Sequence, residues 1–384
     1  MPLTSAEAAR YARHLTLSEV GVAGQERLRN ASVLCVGAGG LGSPALLYLV
    51  AAGVGRVGII DGDVVSLSNL QRQVLYATGE VGTPKTDAAR SRLAALNPDV
   101  ALEAYPEPLT AANALDLFRR YDLVLDGSDN FPTRYLVSDA GVLTGVPVVH
   151  GAVNRFEGQL TLFDTKRGGP CYRCLFPTPP APGEVPNCAE AGVLGAVVGV
   201  VGTLMATAAL TYLLAVGEPL TGKLVTFDAL SLSSRSWKIR RSRACVMCGD
   251  TPTLTELIDY EEFCGATCDT SAPDEGKRTM REITPVELKA KQDAGEPFML
   301  IDVREPYEYE IAKIPGSVLI PLGEIDRRAD ELPDDTEIIL QCRSGARSAQ
   351  ALGILQAKGF TNLANLKGGV LAWSDTVDPS VPKY

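Results

Sequence analysis

A glycine-rich turn between a strand-like run and a helical pattern most constrains the fold of this chain. Residues 33–36 are apolar and include two valines, as in a buried strand, and residues 43–49 begin a helical pattern. Glycines let the backbone approach a ligand closely, and a helix N-terminus offers free N–H groups and a positive dipole end to phosphate. The turn predicts a nucleotide site in a Rossmann-like α/β fold, with these candidate binding residues: Gly37, Gly39, Gly40 and Gly42.

An acidic residue follows the next strand, where a dinucleotide-type site would need it. Residues 57–60 are again strand-like and end at Asp61, about 20 residues beyond the turn, where a ribose hydroxyl would be bound. The strand, turn, helix and Asp61 together favour nucleotide binding over a purely structural turn. The same fingerprint also fits an NAD-dependent oxidoreductase, which remains an alternative at this point.

Strand-like and helical stretches alternate beyond Asp61. The strand-like runs cover residues 101–105, 123–125 and 146–149, and the helical patterns cover residues 84–96, 110–119 and 132–144. This alternation predicts a mostly parallel sheet with helices on both faces, which binds ligands beyond the carboxyl ends of its strands. Residues 153–163 are expected to add one strand, and residues 223–227 and 236–239 two late ones.

A polar group lies just past the end of the strand over residues 123–125. It contains Asp126, Ser128, Asp129 and Asn130. An aspartate at this edge could hold Mg²⁺ beside bound phosphates. Asp129 or Asn130 could equally be the N-cap of the following helix, and the residues alone do not separate the two roles.

Net charge and length limit the class of protein. The chain has 384 residues and a net charge of −10, which predicts two domains and argues against nucleic acid or anionic membrane as the main partner. Residues 193–217 carry no charge and are long enough to span a bilayer, but their flanks are acidic and they are rich in glycine and alanine. A buried core helix, at a subunit interface in one reading, explains them better.

The N-terminal region has no secretory pattern. The first residues lack a long apolar run, so a cytoplasmic location is expected. Residues 5–29 look like a helix that carries several arginines, Arg13 among them. Such arginines commonly face solvent, although one placed before the first strand could also reach a neighbouring subunit.

Cysteines form two CxxC pairs. Four thiolates match the tetrahedral ligand set of a structural Zn²⁺ site, and a redox-active CxxC is the alternative. The proposed zinc ligands are Cys171, Cys174, Cys245 and Cys248. Cys264 and Cys268 are more consistent with incidental thiols than with a further half-site. Cys188 lies in a Pro- and Gly-rich loop over residues 165–191 and is a candidate for acyl or disulfide chemistry.

A second, smaller unit follows a polar linker. The expected domains cover residues 1–250 and 279–384, with residues 251–278 as the linker. In the second unit the strand-like runs and the helix cover residues 298–302, 317–320, 337–341 and 347–358. This pattern predicts a small α/β domain.

The loop after residues 337–341 predicts a reactive thiol. Its residues are Cys342, Arg343, Ser344, Gly345, Ala346 and Arg347. Successive N–H groups, a helix N-terminus and arginines would all favour a thiolate or a persulfide anion. The alternative is a small buried hydrophobic residue, which a lone cysteine commonly is.

These motifs resemble two known families. Residues 1–250 resemble the ThiF/MoeB-like adenylating enzymes of the ubiquitin-activating superfamily, through the glycine turn, Asp61-Gly-Asp63, Asn69-Leu-Gln-Arg72-Gln, Lys85, residues 126–130 and both CxxC pairs. Residues 279–384 resemble a rhodanese domain, through residues 302–305, 314–316, 342–347 and 366–373. Lys313 departs from the histidine common in that family, outside the sulfur loop.

The resemblance implies a first reaction. The C-terminal glycine of a ubiquitin-like sulfur carrier ending in Gly-Gly would attack the α-phosphate of ATP. Asn69, Arg72 and Lys85 would bind the phosphates, Asp129 would hold Mg²⁺, and Asp61 would bind the ribose. Arg13 would reach in from the other subunit of a homodimer.

The resemblance also implies a second reaction. Cys342, loaded as a persulfide by thiosulfate or a cysteine desulfurase, would attack the acyl-adenylate, and Cys188 would help to release the carrier thiocarboxylate. The alternatives are the oxidoreductase named above, a non-catalytic scaffold for a ubiquitin-like protein, and an enzyme that adenylates a tRNA base. The acidic charge disfavours the tRNA enzyme.

Overall fold

The chain forms two compact units. The computed structural model describes residues 2–180, 192–265, 281–333 and 335–383. Contacts divide the chain near residue 268 into an N-terminal unit 1 and a C-terminal unit 2. Each unit has its own sheet and core.

Unit 1 is built on an eight-stranded sheet of order β3-β2-β1-β4-β5-β6-β7-β8. The first five strands of this order pair in parallel, and the last three add antiparallel pairs. This arrangement confirms the predicted mostly parallel, Rossmann-like sheet. The strands are β1 (Ser32–Val36), β2 (Arg56–Ile60), β3 (Ala101–Tyr105), β4 (Leu123–Asp126), β5 (Val148–Asn154), β6 (Glu157–Phe163), β7 (Lys223–Asp228) and β8 (Ser233–Lys238).

Helices cover both faces of this sheet, and two hydrophobic clusters fill the layers between. The described helices of unit 1 are α1 (Ser5–Arg10), α2 (Ala12–Leu15), α3 (Gly21–Asn30), α4 (Gly42–Ala51), α5 (Lys85–Leu96), α6 (Ala114–Phe118), α7 (Phe131–Thr144), α8 (Tyr172–Leu175), α9 (Gly195–Leu214) and α10 (Tyr260–Phe263).

Two predicted elements are divided in the structure. Residues 153–163 are not one strand: β5 and β6 form a hairpin whose turn residue Arg155 has φ of 54°. A positive φ is uncommon for arginine. No glycine marks this turn in the sequence, so the turn could not be predicted from it. Residues 5–29 form three short helices instead of one. Tyr11 separates the first two and is buried in the core, where its hydroxyl accepts a hydrogen bond from Asn97.

Helix α9 is part of the core of unit 1. It is long and apolar enough to cross a membrane by length and composition. However, Val197, Val201, Met205 and Ala209 are buried in the largest core cluster, and the helix packs against α4, β5 and β6. This packing favours the predicted core helix over a membrane span.

The first part of the predicted linker is folded onto unit 1. Helix α10 packs against α7, and the Tyr260 side chain is buried, with its hydroxyl donating to Asp139 at 2.9 Å. The Phe263 ring packs edge-on against Tyr135. Polar composition suggested a linker from residue 251, but two aromatic side chains extend the folded unit to this helix.

Unit 2 is a five-stranded parallel sheet of order β11-β10-β12-β13-β9, between two hydrophobic clusters. Its small α/β architecture confirms the prediction, although β9 and β13 were not foreseen. The elements are β9 (Glu282–Ile283), α11 (Pro285–Ala294), β10 (Phe298–Asp302), α12 (Pro306–Ile311), β11 (Ser317–Leu319), α13 (Leu322–Arg328), β12 (Glu337–Gln341), α14 (Ala346–Ala357), β13 (Leu363–Leu366) and α15 (Gly369–Thr376).

Candidate functional site

The glycine turn forms one wall of a cavity at the carboxyl ends of β1, β2 and β4. Gly37 has φ of 85°, and a Cβ on Gly42 would lie 2.1 Å from the Gly37 carbonyl oxygen. Both positions therefore require glycine. The side chains that share this cavity include Asp61, Asp63, Arg72, Gln73, Lys85, Asp129, Thr133 and Arg134.

Asp61 shapes the glycine turn as well as facing the cavity. One carboxylate oxygen accepts from the Ala38 N–H at 2.8 Å, and the other accepts from the Asp63 N–H at 2.9 Å. Burial raises the pKa of Asp61, and nearby Lys85 partly offsets this effect. The carboxylate thus ties the turn to the end of β2 at the cavity edge.

The two side chains predicted to bind phosphates, those of Lys85 and Arg72, are buried to different extents. Lys85 is 4% exposed at the first residue of α5, and its ammonium lies 2.7 Å from an Asp63 carboxylate oxygen and 3.9 Å from Asp61. Arg72 is half-buried, and its guanidinium donates to the Ser68 carbonyl at 3.2 Å. Both face the cavity, which places two positive charges where phosphates would bind.

Asn69 and Arg13 lie outside the walls of this cavity. Asn69 is half-buried one turn before Arg72, and its carbonyl accepts from the Arg72 and Gln73 N–H groups. It therefore supports the segment that carries Arg72. Arg13 is exposed on α2. The structure thus brings most of the predicted nucleotide residues together, but not these two.

The structure separates the two roles that the sequence left open after β4. The Asn130 side chain caps α7 by accepting from the Thr133 N–H at 2.9 Å. Asp129 is exposed in the cavity wall, and among the described residues its carboxylate has no hydrogen-bond or ion-pair partner. Asn130 is therefore the N-cap of the helix, and the Asp129 carboxylate is open to a cation.

Sequence reasoning gave no role to three polar residues in or behind this cavity. Gln73 is 4% exposed, and its buried Oε1 has no hydrogen-bond partner among the described residues. Arg134 lines the same cavity one turn into α7. His150 lies behind the cavity on β5, 2.7 Å from Asp126. The motif that contains Arg72 could have pointed to its neighbour Gln73. No local pattern points to His150, because its partner Asp126 lies on another strand.

The four predicted zinc ligands converge. Their sulfur atoms all lie within 4.8 Å of one another, with separations of 3.8 Å for Cys171–Cys174, 3.5 Å for Cys171–Cys245 and 3.3 Å for Cys174–Cys248. A disulfide would need about 2 Å. Tetrahedral zinc with Zn–S bonds near 2.3 Å separates its sulfurs by about 3.8 Å. The donor set therefore fits a closed metal site.

The thiols of this cluster hydrogen-bond to one another and to the backbone. Hydrogen bonds among the thiols lower the pKa of Cys174 and raise that of Cys171, and the Ser242 N–H adds a hydrogen bond to Cys174 at 3.3 Å. The two CxxC pairs lie on α8 and on the segment after β8, so an ion here would join these distant parts of the chain.

The Cys342 loop of unit 2 surrounds a sulfur atom. Cys342 is 1% exposed at the end of β12, and its Sγ accepts from the Gly345 N–H at 3.1 Å and from the Ser348 hydroxyl at 3.4 Å. Gly345 has φ of 103° just before α14. The sulfur is thus buried as a hydrophobic residue would be, but donors that stabilise an anion face it.

Among the described residues, Cys264 belongs neither to the cysteine cluster nor to the Cys342 loop. Cys264 is half-buried at the end of α10. Cys188 and Cys268 lie outside the described residues. Lys313, the departure from the rhodanese pattern, lies 5.5 Å from the Tyr309 ring centroid and does not touch the sulfur loop in any described contact.

Comparisons with known proteins agree with this organisation. The ThiF family model matches residues 11–247, and the rhodanese-like domain model matches residues 284–376. The probable adenylyltransferase/sulfurtransferase MoeZ of Mycobacterium tuberculosis is 46% identical over 387 residues, which cover 100% of this chain and 96% of that protein. The sulfur carrier protein adenylyltransferase of Thermus thermophilus is 59% identical over 269 residues, 69% of this chain and 99% of that protein.

A solved structure supports the fold of unit 1. Escherichia coli MccB, crystallised with MccA-N7isoASN, aligns with a TM-score of 0.57 at 22% identity, covering 64% of this chain and 75% of that chain. Identity this low speaks to the fold alone.

A glycine-turn nucleotide cavity followed in one chain by a sulfur-binding loop defines an ATP-dependent adenylyltransferase that is also a sulfurtransferase. The Mycobacterium tuberculosis relative, which aligns with the whole of this chain, is likewise named a probable adenylyltransferase/sulfurtransferase. The chain belongs to the ThiF family and carries a rhodanese-like domain after it. These matches favour adenylation over the NAD-dependent oxidoreductase that the glycine fingerprint also allowed.

Proposed function

We propose that this chain adenylates the C-terminal glycine of a ubiquitin-like sulfur carrier and then converts it to a thiocarboxylate. The observation that carries the proposal is the Asp129 carboxylate, which has no partner in the described part of the chain and shares one cavity with Lys85, Arg72 and the glycine turn. The Thermus thermophilus relative is named a sulfur carrier protein adenylyltransferase, which supports this class of substrate.

In the first step the carrier carboxylate attacks the α-phosphorus of ATP, and the bond to the β-phosphate breaks to release pyrophosphate. Negative charge grows on the phosphate oxygens, and fixed cations stabilise it. Lys85 and Arg72 are the side chains proposed to supply this positive charge from the same chain. Asp129 would hold Mg²⁺, which supplies further positive charge to the phosphates.

Two further assignments complete this site. The ribose would lie against Asp61, at the end of β2. Arg13 is exposed and does not line the cavity of its own chain, which suits a role in the cavity of a second subunit in a homodimer. Asn69 would act through the segment that carries Arg72, given the backbone hydrogen bonds between them.

In the second step the terminal sulfur of a Cys342 persulfide attacks the acyl carbon of the adenylate, and AMP leaves. The product is an acyl disulfide between the carrier and Cys342. A thiol attack on the Cys342 sulfur then releases the carrier thiocarboxylate and leaves a protein disulfide. Cys188 is the proposed thiol, and an external dithiol would reduce that disulfide. The persulfide would come from thiosulfate or a cysteine desulfurase.

The cysteine cluster has a structural role in this proposal. Four thiolates would hold Zn²⁺ with no open position for water, so the ion would stabilise unit 1 rather than take part in the chemistry. The described cysteines form no disulfides. Free thiols of this kind are typical of a reducing compartment, which supports a cytoplasmic location.

The decisive experiment uses purified full-length chain with candidate carriers that end in Gly-Gly. Carrier-dependent ATP–pyrophosphate exchange tests the first step. Mass spectrometry of the carrier, after addition of ATP and thiosulfate, tests whether one sulfur has replaced one oxygen. Absence of exchange with every candidate carrier, or binding of NAD but not of ATP, would contradict the proposal.

A further inference from the structure

A buried aspartate–histidine pair lies directly behind the nucleotide cavity. Asp126, the last residue of β4, is 1% exposed, and His150 on the neighbouring strand β5 is 4% exposed. The two residues are paired in register, and His150 Nδ1 lies 2.7 Å from Asp126 Oδ2. Neither residue has a part in the chemistry described above.

The Asp126 carboxylate folds the loop over residues 127–130. Its Oδ1 accepts from the Ser128 N–H at 3.1 Å and from the Ser128 hydroxyl at 2.6 Å. The Gly127 N–H donates to the Val36 carbonyl at 2.9 Å, and a Cβ on Gly127 would lie 3.1 Å from that oxygen. The loop is therefore held against the strand that leads into the glycine turn, and Asp129 follows immediately.

His150 completes the carboxylate's hydrogen bonding. Burial alone would raise the pKa of Asp126, but the hydrogen bond and charge of His150, with the Ser128 hydrogen bond, lower it below its usual value. An ionised carboxylate only accepts, so Nδ1 of His150 carries the proton. Without that donor, one oxygen of a buried carboxylate would lose its partner and the carboxylate would be free to turn.

Aromatic rings keep His150 in this orientation. Its ring centroid lies 5.7 Å from Phe163 and 5.2 Å from Tyr172. Tyr172 lies between two of the clustered cysteines, and its N–H donates to the Ser138 hydroxyl on α7 at 3.0 Å. The imidazole is therefore held from two sides while Nδ1 faces Asp126.

We propose that His150 is a positioning residue for adenylation: by holding the Asp126 carboxylate, it fixes the 127–130 loop that presents Asp129 to the nucleotide cavity. This inference rests on the proposed function for its kinetic consequence. Its structural consequence, an ordered loop in the nucleotide-free chain, does not depend on that function.

Two substitutions separate hydrogen bonding from packing. His150→Phe keeps a ring among Phe163 and Tyr172 but removes the donor. His150→Asn loses the ring but keeps an amide N–H near the position of Nδ1. Asn97→Ala is the matched control, because Asn97 is fully buried in unit 1 and donates two hydrogen bonds of 2.8 and 2.9 Å, to Val50 and Tyr11 rather than to the cavity.

The first measurement is backbone hydrogen exchange of residues 127–130 in the full chain without nucleotide. We expect faster exchange in His150→Phe and near wild-type exchange in His150→Asn and Asn97→Ala. The second is carrier-dependent ATP–pyrophosphate exchange as a function of ATP and Mg²⁺. We expect His150→Phe to lower the rate about 10- to 100-fold, the usual loss when a residue that orients a metal ligand is replaced. His150→Asn should restore most of that rate.

The outcomes are distinct. If His150→Phe matches wild type in loop exchange, or if His150→Asn is the more disturbed variant, the ring acts as packing and the inference is wrong. If wild type shows no pyrophosphate exchange with any carrier, the proposed function fails, and the hydrogen-exchange comparison still decides the role of His150. Thiosulfate-dependent sulfur transfer by Cys342 should be unchanged in all variants, which verifies that unit 2 is folded.

Discussion

Glu308 forms a two-pronged ion pair with Arg347, the last residue of the loop around Cys342. The carboxylate oxygens lie 2.6 and 2.7 Å from the two terminal guanidinium nitrogens, and Glu308 is 2% exposed. The pair joins α12 to the first turn of α14, one turn from the sulfur. A nearly buried carboxylate thus holds the end of the sulfur loop.

Glu308→Gln should destabilise unit 2. It removes the carboxylate charge that pairs with Arg347 in a mostly buried position, and breaking such a pair costs about 3 kcal/mol. Fluorescence of Trp373, which is 2% exposed in unit 2, measures the unfolding in denaturant, in a Trp237→Phe background that removes the other tryptophan. Glu310→Gln, on the same helix but exposed, should change stability by less than about 0.5 kcal/mol.

Asp129→Ala should abolish the carrier-dependent ATP–pyrophosphate exchange. Removing a fixed group that organises charge at the phosphates costs about 10²- to 10³-fold in rate. The metal content of the cysteine site should stay unchanged, as measured by elemental analysis. Asp116→Ala is the control, since Asp116 is exposed on α6, where it pairs with Arg119. Equal exchange in Asp129→Ala and wild type would remove Asp129 from the site.

Cys342→Ser should separate the two reactions. Acyl-adenylate should still form at wild-type rate, because the nucleotide cavity is in unit 1. No thiocarboxylate should appear on the carrier, since a serine hydroxyl cannot carry the transferable sulfur. Cys264→Ser, at the end of α10, should retain both reactions. Sulfur loading of the carrier by Cys342→Ser with thiosulfate would show that another thiol is the acceptor.

Removal of the metal should destabilise unit 1. Cys248→Ser or a strong chelator should release the bound ion and lower the melting temperature, because α8 and the segment after β8 would lose their link. Thiolate ligands must be deprotonated, so metal affinity should fall as pH falls. Metal analysis across pH tests this sign. If the melting temperature of the metal-bound chain stays the same after the chelator has removed the metal, the ion has no structural role.

Tyr260→Phe tests whether the segment after residue 251 belongs to unit 1. The substitution removes the hydroxyl that donates to Asp139, a carboxylate that is fully buried beside Arg173. The expected loss is about 1–2 kcal/mol in the unfolding free energy of unit 1. Tyr48→Phe, with Tyr48 54% exposed, is the control and should be neutral. Equal stability of the two variants would mean that α10 contributes nothing to the unit.

Local patterns predicted the glycine turn, the alternation of strands and helices, and the loop around Cys342. These features depend on neighbours in the chain: a turn that only glycine can adopt, or a cysteine between a strand and a helix. This dependence on neighbouring residues also explains which predictions were wrong. The turn at Arg155 has no glycine, and the aromatic residues of α10 are too few to stand out in a polar segment.

What the sequence by itself determined is the type of the main elements and the chemistry that each motif can perform. Only the tertiary structure decided which side chains meet: Asn130 as the helix cap with Asp129 left open, His150 on Asp126, Glu308 on Arg347, and the two CxxC pairs at one point. The reason is physical, because backbone preferences are set by adjacent residues, whereas these contacts depend on strand order and packing between parts of the chain that are distant in sequence.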